Sequence, residues 1–239
     1  MTELLYQTDS YKKQFEAKLI NVDQLSKILY LDKTAFFPGG GGQPCDVGTL
    51  SFGDAKYLIE RVKKQDEEVL HFISGNVFLP SIGSEMIGEI NWDRRYKLMR
   101  THTAMHILCG VIFRDYGASV TGGEMDLLKG RMDFEFSTLH ADLVHIIEAA
   151  VNKEVELNRE IRVKVLPKEE AFKISDLIRT KINLLPEGIS MVRTVEIVGL
   201  DLQADGGTHV NKTAEVGRVK VVDYKSKGAI NKRIYLEIE

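Results

Sequence analysis

A chain of 239 residues, 44% hydrophobic and 28% charged with a formal net charge of −3, has the composition of a soluble globular protein. Cys45 and Cys109 are too few for a disulfide framework, and the longest apolar stretch, Ala104 to Phe113, is too short to span a bilayer. Secreted miniproteins, membrane-spanning chains and collagen-like chains are excluded, the first residues lack a signal-peptide pattern, and a reducing cytoplasmic setting is expected.

The first ninety or so residues read as strands and turns. Lys18 to Val22 and Lys27 to Leu31 are short β-type runs. Tyr57 to Val62 and Val69 to Ile73 follow, divided by the polar stretch Lys63 to Glu68. Short strands at roughly ten-residue intervals predict a small barrel or sandwich. Gly39 to Gly42, followed by Gln43 and Pro44, interrupt them with a loop that no regular element tolerates.

From Asn91 to Tyr116 the period becomes helical, with Leu98, Met105, Leu108 and Ile112 on one side and Gly117 as the stop. A strand is expected at Arg131 to Phe136. A second helix should run from Ala141 to Arg159 on an apolar stripe of Leu143, Ile146, Ile147, Ala150 and Val151. Ile161 to Leu166 reads as a strand, and Pro167 opens a short helix over Lys168 to Asp176. Met191 to Val198, Arg218 to Tyr224 and Arg233 to Ile238 return to strands. This order, without regular βαβ units, predicts an α+β fold with a domain boundary near residue 90, giving domains 1–90 and 91–239.

Three constellations carry chemistry. His102 and His106 stand four apart within the first helix, so both imidazoles share a face and can meet one cation. Thr103 stands where a zincin motif needs glutamate. Asp205-Gly-Gly-Thr-His209 is a tight turn bearing a carboxylate and an imidazole. Read alone, it is an ordinary Asp-Gly turn; joined to the helical pair, it completes a plausible zinc donor set. The loop of Gly40, Gly41 and Gly42 offers main-chain amides to a ligand, and Thr34 and Gln43 bracket it with a hydroxyl and an amide.

Taken together, His102-Thr-Ala-Met-His-Ile-Leu108, Asp205-Gly-Gly-Thr-His209 and Thr34-Ala-Phe-Phe-Pro-Gly-Gly-Gly-Gly-Gln-Pro44 resemble the alanyl-tRNA editing proteins, in the longer form that keeps a β-rich N-terminal domain. These are free-standing relatives of the editing domain of alanyl-tRNA synthetase. The resemblance covers nearly the whole chain. It implies a small N-terminal β-barrel followed by an α+β editing domain of the threonyl/alanyl-tRNA synthetase type. It also implies zinc, and trans hydrolysis of Ser-tRNA(Ala) or Gly-tRNA(Ala) without aminoacylation. The ligands would be His102, His106 and His209, with Asp205 standing where the family usually has cysteine. Thr34 would sort the amino acid by hydrogen-bonding serine, Gln43 would position the ester, and Gly40, Gly41 and Gly42 would line the pocket.

Two basic runs are expected to meet tRNA phosphates: Arg94, Arg95, Lys97 and Arg100, and Lys225, Lys227, Lys232 and Arg233. His71 is expected to be a partly exposed barrel residue, and Cys109 a core residue. A metallohydrolase of another small ester, or a non-catalytic tRNA-binding module with structural zinc, are the competing readings. The oligomeric state, monomer or homodimer, is left open.

Overall fold

The computed structural model describes residues 1–75, 78–180 and 188–239. The chain divides into two compact units, Met1–Tyr96 and Lys97–Glu239. No described helix is long and apolar enough to cross a membrane.

The first unit contains β1 (Glu3–Leu4), β2 (Gln14–Asp23), β3 (Ile28–Leu31), β4 (Lys33–Thr34), β5 (Gly48–Phe52), β6 (Ala55–Gln65), β7 (Glu68–Ile73) and β8 (Glu85–Ile90). Six of them close into a barrel in the order β2-β3-β7-β6-β5-β8, and β1 pairs in parallel with β4 outside it. Alternation builds the interior. Phe15, Ala17 and Leu19 of β2 point inward, as do Tyr57, Ile59 and Val62 of β6 and Met86 and Ile90 of β8. Glycine lets the wall close where space is short: a Cβ at Gly88 would lie 2.3 Å from the Phe15 ring. The barrel agrees with expectation. β5 and β8 were not anticipated, and β6 runs on to Gln65, so only Asp66 and Glu67 turn the chain.

The second unit is built around α1 (Trp92–Tyr116), which starts in the first unit. Its residues from Thr101 to Ile112 are all buried. Gly117, at φ +64°, ends it. Then come β9 (Val120–Asp126), β10 (Lys129–Glu135), α2 (Ala141–Glu156), β11 (Ile161–Pro167), α3 (Lys168–Ala171), β12 (Met191–Ile197), β13 (Asp201–Ala204), β14 (Val219–Ser226) and β15 (Asn231–Ile238). One sheet has the order β14-β15-β10-β9, the other β11-β12-β13. The α+β class is as expected.

Two helices differ from expectation. The buried line of α2 is Val144, Ile147, Val151 and Val155, while Ile146 is 59% exposed. The partner strand selects the line: the Asn152 side chain donates to the Val219 carbonyl at 2.8 Å and accepts from the Val219 amide at 2.9 Å. The α3 helix spans one turn rather than reaching Asp176, because the Ile174 amide bonds back only to Ala171 and Asp176 takes φ +57°.

Candidate functional site

The α1 helix presents His102 and His106 one turn apart. The segment after β13 supplies Asp205 and His209. One donor atom from each of these four residues lies within 4.8 Å of the others. The ring centroids of His102 and His209 are 4.2 Å apart, and those of His106 and His209 4.7 Å. Two segments about a hundred positions apart in sequence thus converge as expected.

The turn is tight because Asp205 Oδ2 accepts the Gly207 amide at 2.7 Å, an Asx-type arrangement. The same oxygen faces His209 Nε2 at 3.0 Å, and Oδ1 faces His102 Nε2 at 3.5 Å. Zinc takes nitrogen and oxygen donors at about 2.0–2.2 Å in a tetrahedron, which sets them roughly 3.3 Å apart. The two spacings from Asp205 come close to that value and the whole set lies within 4.8 Å, so the donor set fits a small divalent cation.

The electrostatics agree. Burial drives His209 down to about 4 and holds His102 well below the ordinary histidine value, so both rings are neutral and can offer a lone pair. Burial also works against charge on His106, but the hydrogen bond to Asp201 and the charges of Asp205 and Asp201 outweigh it and raise its pKa. For Asp205, the imidazole neighbours, His102 first, more than offset burial and keep the carboxyl well below its usual range. Arg193 of β12 adds a positive charge: Nη1 donates to the Asp205 carbonyl at 2.9 Å and stands 3.6 Å from Oδ2.

Further groups hold the imidazoles. Thr103 Oγ1 lies 3.1 Å from His209 Nδ1 and accepts the Val210 amide at 3.3 Å. Asp201 Oδ2 lies 3.2 Å from His106 Nδ1. Sequence reasoning missed Asp201 and Arg193 and noted Thr103 only as the wrong residue for a zincin. For Thr103 a signal existed, its place between two candidate ligands on one helix. Cys109 is buried, as expected, and its thiol is pushed far up by burial, so it is a neutral group accepting from Gln203 Nε2 at 3.3 Å.

Residues 192–235 match the family described as the threonyl and alanyl tRNA synthetase second additional domain, and residues 5–94 match class II (A) tRNA synthetases. The alanyl-tRNA editing protein AlaX-M of Saccharolobus solfataricus is 37% identical, over the whole of both chains. The protein of the same name from Methanosarcina acetivorans is 36% identical over 100% of this chain and 99% of its own. The chain belongs to the alanyl-tRNA editing protein family. It is also 36% identical to the alanine–tRNA ligase of Ignicoccus hospitalis, across 92% of this chain but only 24% of that one.

Within this alanyl-tRNA editing protein, the barrel unit shows why four glycines stand in a row. Gly39, Gly40, Gly41 and Gly42 have φ of 83°, 138°, 58° and 87°, all in territory that L-residues avoid. Gly40 and Gln43 exchange backbone hydrogen bonds at 3.0 and 2.9 Å, so the loop is a closed hairpin turn with positive φ at both central residues. Thr34 and Gln43 are both buried, at 0% and 3% exposure. The Thr34 hydroxyl lies 2.9 Å from His71 Nε2 and accepts the Phe36 amide at 3.1 Å. His71 is also fully buried, not partly exposed, because the polar groups around it satisfy both ring nitrogens.

Two of the expected phosphate-binding cations are not available for that task. Arg95 is fully buried in an ion pair with Asp46, and Lys232 is 5% exposed with Nζ on the Gly228 and Ala229 carbonyls. Arg233 is clamped by both oxygens of Asp133 at 2.6 and 2.7 Å, and Lys225 pairs with Asp223 at 3.0 Å. Arg94 is half-buried, with Nη2 3.3 Å from the Cys45 carbonyl. Arg100 donates to the main-chain oxygens of Val216 and Glu239 at 2.9 and 2.6 Å.

Proposed function

We propose that this family member is a cytoplasmic deacylase that frees Ser-tRNA(Ala), Gly-tRNA(Ala) or both from the wrong amino acid, with zinc held by His102, His106, Asp205 and His209. The observation that carries the reading is the convergence of four donors within 4.8 Å in a chain of this family. The metal supplies a Lewis acid beside the ester when bound. The chain's own groups do the rest. The neutral imidazoles of His102 and His209 and an ionised Asp205 present unprotonated donors, and the Arg193 guanidinium places positive charge beside them.

Editing answers a limit of binding. Serine adds one hydroxyl to alanine and glycine lacks one methyl, and a pocket built for alanine rejects neither strongly. A second site can use the hydroxyl itself. His71 Nδ1 faces the Leu29 carbonyl at 3.1 Å, and a carbonyl only accepts, so Nδ1 carries the proton and Nε2 accepts from Thr34. The Thr34 oxygen, which also takes the Phe36 amide, keeps a lone pair for serine and offers nothing to alanine's methyl group. In the same reading Gln43 positions the ester, the amides of Gly40, Gly41 and Gly42 line the pocket, and Arg94 and Arg100 meet tRNA phosphates.

Release of amino acid from Ser-, Gly- and Ala-tRNA(Ala), with and without a chelator, tests this. Seryl or glycyl release that stops on chelation, with alanyl-tRNA spared throughout, is expected. Cleavage of small esters but not of tRNA would mark a different metallohydrolase, and tight tRNA binding without turnover a non-catalytic module; either result overturns the proposal.

A further inference from the structure

One carboxylate beside the metal centre belongs neither to the donor set nor to the substrate-sorting groups. Asp201 opens β13, four residues before Asp205, and its side chain is fully buried. Three groups converge on it: His106 Nδ1 at 3.2 Å, Gln203 Nε2 at 2.7 Å and Arg179 Nε at 3.4 Å. A buried carboxylate is retained only where its charge is well compensated, so this one is built into its place.

The helix opposite is shaped to receive it. His106, Gly110 and Phe113 follow one another at i, i+4 and i+7 along one face of α1. A Cβ at Gly110 would lie 2.8 Å from Leu200 Cγ and 3.0 Å from Asp201 Cβ, closer than real atoms pack. The missing methyl therefore sets how near β13 comes to the helix. One turn further on, Phe113 carries the Arg179 guanidinium on its ring at 3.6 Å, and that guanidinium holds the second oxygen of Asp201. One helical stripe thus supplies a candidate ligand, the gap that admits the carboxylate, and the platform for the cation steadying it.

We infer that Asp201, seated in the gap left by Gly110, is a positioning residue of the metal centre: it accepts the Nδ1 proton of His106, fixes the ring's orientation and leaves Nε2 for the cation. The inference rests on the metal-binding reading above. Its chemistry is that of a carboxylate behind a ligand imidazole, where loss of the outer partner weakens metal binding about 10–100-fold. Gly110→Ala should act in the same direction although it leaves every polar group in place. Alanine favours helix more than glycine does, so a loss of affinity there reports displacement of β13 rather than a failing helix.

Zinc affinity, read by competition with a chromophoric chelator, should fall about 10–100-fold in Asp201→Asn and measurably in Gly110→Ala, with the far-ultraviolet circular dichroism of the metal-free proteins unchanged. A purely structural Asp201 would lower stability and leave the affinity of the folded fraction alone. Asp201→Asn leaves Arg179 without its ion-pair partner and can fail to fold, so imidazole ¹H–¹⁵N spectra of zinc-loaded wild type give the second test. They should show His106 protonated at Nδ1. Both variants within twofold of wild type, or a proton on Nε2 of His106, overturns the inference. A wild-type protein that takes up no zinc overturns the metal reading itself, a different and recognisable result.

Discussion

A histidine sealed inside a barrel costs stability whenever it is charged. His71 has no exposed surface, and burial drives its pKa down to about 4 against an ordinary value of 6.5. The unfolded chain therefore binds a proton that the folded chain refuses. Its contribution is fully present above about pH 6.5, is lost as pH falls toward 4, and amounts to about 3 kcal/mol across that window. Urea unfolding at a series of pH values should show a shallower acid limb in His71→Gln than in wild type, whatever the variant's stability at neutral pH. Parallel limbs would contradict this assignment. His71 lies in a run that reads plainly as a strand, but the groups that accept it, Thr34 and the Leu29 carbonyl, sit about 40 positions earlier, and nothing local announces them. Asp201 was hidden for the same reason, whereas His102 and His106 declared themselves by a spacing the helix enforces.

The elements show where local pattern suffices and where partners decide. The α1 helix was legible end to end, because apolar periodicity and a glycine stop coincide. The burial of its first turn was not. Arg95 reads as one of a run of surface cations, yet it stands at i, i+3, i+4 and i+7 with Leu98, Met99 and His102, the buried line of the helix. Both Asp46 oxygens lie 2.9 Å from its Nε, and its other nitrogens donate to the Ser10 and Ala35 carbonyls at 2.9 and 2.6 Å. Asp46 in turn accepts the Phe37 amide, tying the return of the glycine loop to the start of the helix. Arg95→Met removes one charge and strands the other, a change that costs about 3–5 kcal/mol for a buried pair. Chemical denaturation should show a loss of that size; a loss under about 1 kcal/mol, the range of exposed pairs, would mean that the pair is solvent-screened.

For the whole molecule, a net charge of −3 leaves tRNA attraction to local patches, and the fold spends several of the expected cations internally. The α+β class was readable from the change of period along the chain, but which cations face a partner depends on tertiary pairing. Among the described residues, the Arg94 side chain makes long hydrogen bonds to the Cys45 carbonyl alone. Arg94→Ala should weaken binding of all tRNAs alike and reduce the slope of log affinity against log salt by about one. Filter binding across a salt series checks this; an unchanged slope would remove Arg94 from the interface.

Four side chains from two remote segments are proposed to hold one cation. Elemental analysis of purified protein, comparing wild type with His209→Ala and Asp205→Ala, tests it most directly. About one zinc per chain is expected in wild type and little in either variant, since each removes one of the four donors. Metal retained at the wild-type level after loss of His209, or none in the wild-type protein, would contradict it.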